Sequence, residues 1–188
     1  SAPHCTPVEV VPEVAPYTVF VDGISKAFAA TGLRVGWSVA PPFLTARMRD
    51  LIGHVGAWAP RPAQMASAEI FAEEGRAEAL AASVRDAVDK RLEALHAGLC
   101  RLRDAGLPVS ALPPAGALYL SARFDLVREL GSNDAIRKLL LEQAGFAVVP
   151  FQAFGMTEES GWFRLSVGAV SEDEIQAMLP RLAAALRA

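Results

Sequence analysis

With 188 residues, 52% of them hydrophobic and 21% charged, the chain has enough apolar surface for one substantial core and no compositional sign of disorder. A formal charge of −3 gives no basic footprint for nucleic acid or an anionic membrane surface. No apolar run reaches the roughly 18 residues of a membrane-spanning helix, and Ser1-Ala2-Pro3-His4-Cys5-Thr6 lacks the pattern of a secretory signal, so a cytoplasmic protein without nucleic-acid or membrane partners is expected.

Pro3, Pro7, Pro12 and Pro16 argue against a helix or an interior strand in the first stretch of chain. Tyr17 to Val21 and Leu33 to Val39 read as strands, and the loop between them holds Gly23, Lys26 and Gly32. After Pro41-Pro42, Phe43 to Ile52 has helical spacing; Gly53 to Arg61 interrupts it, and Pro62 suits the first turn of another helix through Phe71. From Arg76 to Asp104 the residues Leu80, Val84, Val88, Leu92, Leu95, Leu99 and Leu102 recur every three or four positions, with Gly106 placed as a C-terminal cap. At about 1.5 Å per residue such a helix spans about 40 Å, enough to link two domains.

Ala117 to Arg123 then reads as a strand, Asn133 to Ala144 as a helix closed by Gly145, and Ala147 to Val149 and Trp162 to Val167 as two further strands. The last helix opens on Ser171-Glu172-Asp173-Glu174, a capping box, and Pro180 is expected to kink or split it. The pattern is α+β with an α/β portion. Cys5 and Cys100 stand far apart and read as free thiols, while His4, His54 and His96 are isolated from acidic partners, so no metal site is expected.

The segment Asp22-Gly23-Ile24-Ser25-Lys26-Ala27-Phe28-Ala29-Ala30-Thr31-Gly32-Leu33-Arg34-Val35-Gly36-Trp37 concentrates the chemistry. Small residues around Lys26 allow close backbone approach, and apolar neighbours would desolvate its amine toward a nucleophilic state. Arg34 offers a planar fork suited to a phosphate dianion. For an arbitrary lysine and arginine the ordinary reading is two solvated surface cations.

This segment resembles the pyridoxal-phosphate attachment site of class I and II aminotransferases, of fold type I, at Gly23, Ile24, Ser25, Lys26, Ala29, Ala30, Gly32, Arg34, Val35 and Gly36. The resemblance implies that Lys26 attaches the cofactor and then carries the proton at the substrate Cα. It implies that Arg34 binds the cofactor phosphate, with Ser25 beside it. Gly23 lacks the hydroxyl that some relatives have at its position. Further along, Pro114-Ala115-Gly116-Ala117-Leu118-Tyr119-Leu120 looks like a segment of the family's small domain, and Gln64 matches a recurrent helix landmark. Pro150 through Phe154-Gly155 looks like the loop that approaches the substrate, with Phe151 where the family usually has glycine. Phe163-Arg164-Leu165-Ser166 is similar to the strand whose arginine holds the substrate α-carboxylate, which gives Arg164 that role. On physical grounds alone, Arg164 either meets an anion, points to solvent or pairs with a carboxylate such as Glu158.

The resemblance runs from about Ala15 to the end and accounts for about half of a family member. It implies residues 1–75 as the remnant of a large cofactor-binding domain, 76–105 as a long linking helix and 106–188 as the C-terminal small domain. The family's upstream region supplies a phosphate loop, an aromatic ring stacked on the cofactor and an aspartate at its ring nitrogen, so this chain is expected to be a truncated portion, inactive alone. The implied activity of the intact protein is amino-group transfer between an α-amino acid and a 2-oxo acid, in a homodimer. A lyase or decarboxylase of the same fold, the effector-binding domain of a transcription regulator, and a catalytically dead interaction module are the alternatives.

Overall fold

The computed structural model describes residues 5–187, and the chain divides between Arg85 and Asp86 into two compact units. His4 and Pro3 lie outside the described residues.

The first unit opens with a feature that proline content alone argued against. Pro7–Val10 forms a short helix, α1, followed by a 3-10 helix over Pro12–Tyr17. Proline is tolerated here because Pro7 and Pro12 each stand in a first turn, where the missing N–H has no intrahelical partner to lose. A capping box closes α1: the Thr6 hydroxyl accepts from Glu9 N, and the Glu9 carboxylate accepts from Thr6 N.

Strand β1, Phe20–Gly23, pairs antiparallel with β2, Gly36–Val39, in the register Phe20↔Val39 to Gly23↔Gly36. Both strands are shorter than their β-forming sequence suggests. Tyr17 belongs to the 3-10 helix, while Thr31–Leu33 forms another 3-10 turn and Arg34 adopts the left-handed conformation, so β2 starts only at Gly36. Between the strands lies a single helical turn, α2, Ile24–Ala27. Helix α3, Pro42–Val55, ends on Gly56 at φ 70°, and α4, Arg61–Ala72, starts with Pro62 in its first turn. Ile24, Val35 and Ala63 are the buried core of this unit, with Phe28, Ala30 and Ala59 against them. The Phe28 and Trp37 rings both meet Phe71 edge-on, at 5.5 and 5.4 Å.

Helix α5 runs over Arg76–Asp104 as its periodicity predicts, and its end is closed by Gly106 at φ 83° with Leu107 N donating to Leu102 O. The second unit takes the later part of α5 and a four-stranded antiparallel sheet in the order β3-β4-β6-β5. These strands are β3 Val109–Ala111, β4 Tyr119–Phe124, β5 Val149–Pro150 and β6 Trp162–Ser166. The period of two is plain in the burial. Leu120, Ala122 and Phe124 of β4 and Phe163 and Leu165 of β6 are buried, while Tyr119, Ser121, Trp162 and Arg164 take the other face. The short helix α6, Val127–Leu130, leads to α7, Asn133–Ala144, which is capped by the Ser132 hydroxyl and closed by Gly145.

Helix α8 spans Glu172–Ala185 without a break at Pro180. The proline removes one backbone hydrogen bond, but Met178 and Leu179 before it and Leu182 and Ala185 after it are all buried. Packing on both sides holds the helix across the missing bond. At Gly98 of α5 a Cβ would lie 2.5 Å from Leu179 Cδ1, so the absence of a side chain there makes room for that leucine. β3 is short and was not evident in the sequence; its backbone is paired with Ala122, Arg123 and Phe124 of β4.

Candidate active-site elements

Lys26 sits in the single turn α2, whose fixed neighbours explain its position. Gly23 ends β1 and faces Gly36 at the base of the hairpin. A Cβ on Gly23 would meet Val35 O at 2.9 Å and Gly36 Cα at 3.1 Å, and one on Gly36 would meet Asp22 O at 3.0 Å. The paired glycines therefore let two backbones approach more closely than side chains permit. The pinch is closed by Ile24 N donating to Val35 O at 3.2 Å, and the buried Ile24 and Val35 anchor the turn from beneath.

Ser25 is half-buried and Lys26 exposed. The expected desolvation of the lysine amine by its apolar neighbours is thus not found: those neighbours, Ile24 and Phe28, point into the small core rather than around the amine. The loop beyond carries two non-glycine residues at positive φ, Ala29 at 52° and Arg34 at 55°. Such residues are uncommon in ordinary loops and cost on the order of 1 kcal/mol each. Arg34 precedes β2 rather than opening it, and its Nη1 donates to Thr31 O at 3.0 Å. Among the described residues it joins no ion pair, so the rest of its fork is available to an anion. Gln64 donates to Ala59 O at 2.7 Å, a local tie at the start of α4.

Arg164 belongs to the second unit, on the face of the sheet turned away from the core. Its strand position puts it across from Ser121 and Val149, with Tyr119 as a diagonal neighbour. The guanidinium carbon lies 4.2 Å from the Tyr119 ring centroid and 4.5 Å from that of Phe154. Both distances are those of cation–π contacts. The Nε of Arg164 is buried with no hydrogen-bond partner, and the arginine is in no ion pair with Glu158 or any other described residue. Among the described residues no protein group meets the Nε of this arginine, and a buried donor left unmade is costly.

The aromatic partners of Arg164 were not evident in the sequence, although both lie in the two segments already singled out. The available signal was strand parity: Tyr119 and Arg164 fall on one face once Leu120 and Leu165 are assigned to the core. Phe154 could not be placed that way, because it lies on a 3-10 turn, Phe151–Phe154. Among the described residues no cluster of His, Cys, Asp and Glu is arranged to hold a metal, and no helix is long and apolar enough to cross a membrane.

A lysine turn pinched by paired glycines, a long amphipathic helix and a small antiparallel sheet belong to the fold of the pyridoxal-phosphate-dependent aminotransferases, which solved structures of such enzymes share. The chain belongs to the family aminotransferase class I and II, whose model matches residues 2–182. The probable aspartate/prephenate aminotransferase of Thermus aquaticus is 33% identical over 187 residues, covering 98% of this chain and 44% of that protein. The aspartate aminotransferase of Geobacillus stearothermophilus is 30% identical over 187 residues, covering 96% of this chain and 44% of that protein. The solved structure of Thermus thermophilus aspartate aminotransferase with maleate superposes with a TM-score of 0.84 at 29% identity, over 99% of this chain and 45% of that one. The chain thus spans a little under half the length of these relatives.

Proposed function

We propose that this chain supplies the lysine and carboxylate-binding elements of a pyridoxal-phosphate-dependent aminotransferase that moves an amino group between an α-amino acid and a 2-oxo acid. In this reading residues 1–75 belong to the cofactor-binding domain, 76–105 link it to the remainder and 106–188 form the small domain. The assembly is a cytoplasmic homodimer, and the isolated chain does not turn over. The observation that carries the reading is the lysine turn, where close-approach glycines flank Lys26 and the loop passes through positive φ at Ala29 and at Arg34 itself.

The donor set suits the cofactor. Lys26 has the primary amine that an aldehyde carbon requires, and the guanidinium of Arg34 with the hydroxyl of Ser25 suits a phosphate. When bound, pyridoxal phosphate supplies an electron sink for the charge that develops at the substrate Cα. Lys26 Nζ would take the proton from that carbon and return it, acting as base and then acid. Arg164 would grip the substrate carboxylate through parallel N–H donors and so fix which Cα bond faces the ring.

The test uses the fact that Lys26, Lys90 and Lys138 are the only lysines of the chain. Incubation with pyridoxal phosphate, borohydride reduction and peptide mapping should place most of the adduct on Lys26, and Lys26→Ala should lose it. Equal labelling of all three lysines would count against the assignment.

A further inference from the structure

The Phe154 ring rests on Arg164 although it is 53% exposed, so burial alone does not hold it there. Two sets of contacts do. The Phe151 ring stacks on Trp162 with centroids 6.2 Å apart and planes 25° from parallel, and it meets Phe154 edge-on at 6.4 Å. A glycine at position 151 would leave both rings without this support.

The second set is polar. Asn133, only 2% exposed at the start of α7, donates from Nδ2 to Gln152 Oε1 at 2.8 Å and accepts from Gly161 N at 2.8 Å. Gln152 in turn donates to Glu158 O at 2.9 Å and to the Glu159 carboxylate at 3.1 Å, and that carboxylate also accepts from Asn133 N. Both ends of the excursion between β5 and β6 are therefore tied to one helix terminus. Phe154 rides on the turn that this network fixes.

We infer that the Phe151–Trp162 stack and the Asn133–Gln152–Glu159 network form a clamp that holds Phe154 on Arg164 and presets its guanidinium for a planar carboxylate. Phe151, Gln152 and Asn133 are positioning residues in this scheme. It rests on the reading of Arg164 as the carboxylate-binding residue. An arginine has many rotamers to surrender when it binds, and rings packed against its plane remove most of that freedom before a ligand arrives. The clamp contributes no bond to the ligand and acts through the readiness of the one residue that does.

The experiment uses the full chain labelled with nitrogen-15 on arginine, with the Arg164 Nε–Hε resonance identified by its loss in Arg164→Lys. Titrated with propionate, the wild type should show a saturable shift of that resonance. Phe151→Gly and Gln152→Ala should weaken binding by roughly five- to tenfold, the scale of ordering one rotamer-rich side chain on association. Their Arg164 resonance should also move toward the value of a solvated arginine before any ligand is added. Asn133→Ala should do the same if it folds, and the two turn variants carry the test if it does not. Saturable binding in the wild type with unchanged affinity in both turn variants would overturn the clamp and leave the Arg164 reading standing. A wild type that never saturates would remove the Arg164 reading, and the clamp with it.

Discussion

The two units bury their sequence to very different degrees. In the second, Leu92, Leu99, Leu120, Phe124, Ile136, Leu140, Phe163 and Leu182 are almost fully removed from solvent in one continuous core. In the first, the buried core comprises Ile24, Val35 and Ala63, while Tyr17, Val21, Val39, Phe43 and Trp58 stay exposed, Tyr17 by 89%. The second unit is held by apolar burial. The first is held by local devices: a capping box, a backbone pinch between two glycines and an edge-on pair of aromatic contacts. The lysine turn thus sits on the more weakly packed side of the chain, and the arginine platform on the well-packed side.

The largest effect should come from breaking the stronger core. Phe163→Ala should cost about 3–5 kcal/mol, while Ile24→Ala, in a site that can collapse, should fall near or below about 2 kcal/mol. Chemical denaturation with probes in each unit measures both, and equal losses would mean the two cores are better matched than their burial indicates. Next in size is Gly161→Ala. This residue has φ 74°, and its Cβ would stand 2.5 Å from Phe124 O, a backbone atom that cannot swing aside. A loss of at least about 2 kcal/mol is expected in the second unit alone, with amide exchange in the first unchanged.

The smallest effect is electrostatic. The backbone and hydroxyl of Ser171 donate to the Glu174 carboxylate and hold its pKa below the ordinary glutamate value. Its folded pKa is therefore lower than its unfolded one. The stabilisation is complete above the unfolded value and is lost as pH falls through the folded value. Wild type should exceed Glu174→Gln in stability at neutral pH, and the gap should close in acid; a gap that persists there would point to another cause. The same reasoning applies to Asp134, lowered by Lys138 and Arg137.

What the sequence revealed and what it hid follow from the range of the forces involved. The helix over Arg76–Asp104, the Gly106 and Gly145 caps and the Ser171 box are local, governed by residues a few positions apart, and all were legible. The Lys26 and Arg34 segment stood out through its resemblance to the family's attachment site, and its small residues indicated the close backbone approach found at Gly23 and Gly36. Helix α1 escaped because proline was weighed as a breaker where its place in the first turn makes it harmless, and β3 because a three-residue strand has too few positions to show a period. Tyr119 and Phe154 meet Arg164 across forty-five and ten positions of chain respectively, through strand pairing and a 3-10 turn. Such partners appear only when register is known. The Asn133 network is of the same kind, the bonds of Asn133 itself joining residues 19 to 28 positions apart.

Gly98 has a mechanical reading as well as a packing one. Leu179 of α8 sits in the notch it leaves on α5, with Cδ1 and Cδ2 only 2.5 and 2.7 Å from where a methyl would stand. Sliding α8 along α5 by a single residue, about 1.5 Å, would drive those methyls out of the notch and into the flanking turns. The notch works as a detent. A single glycine thereby sets the position of α8 along α5 as well as the closeness of their approach.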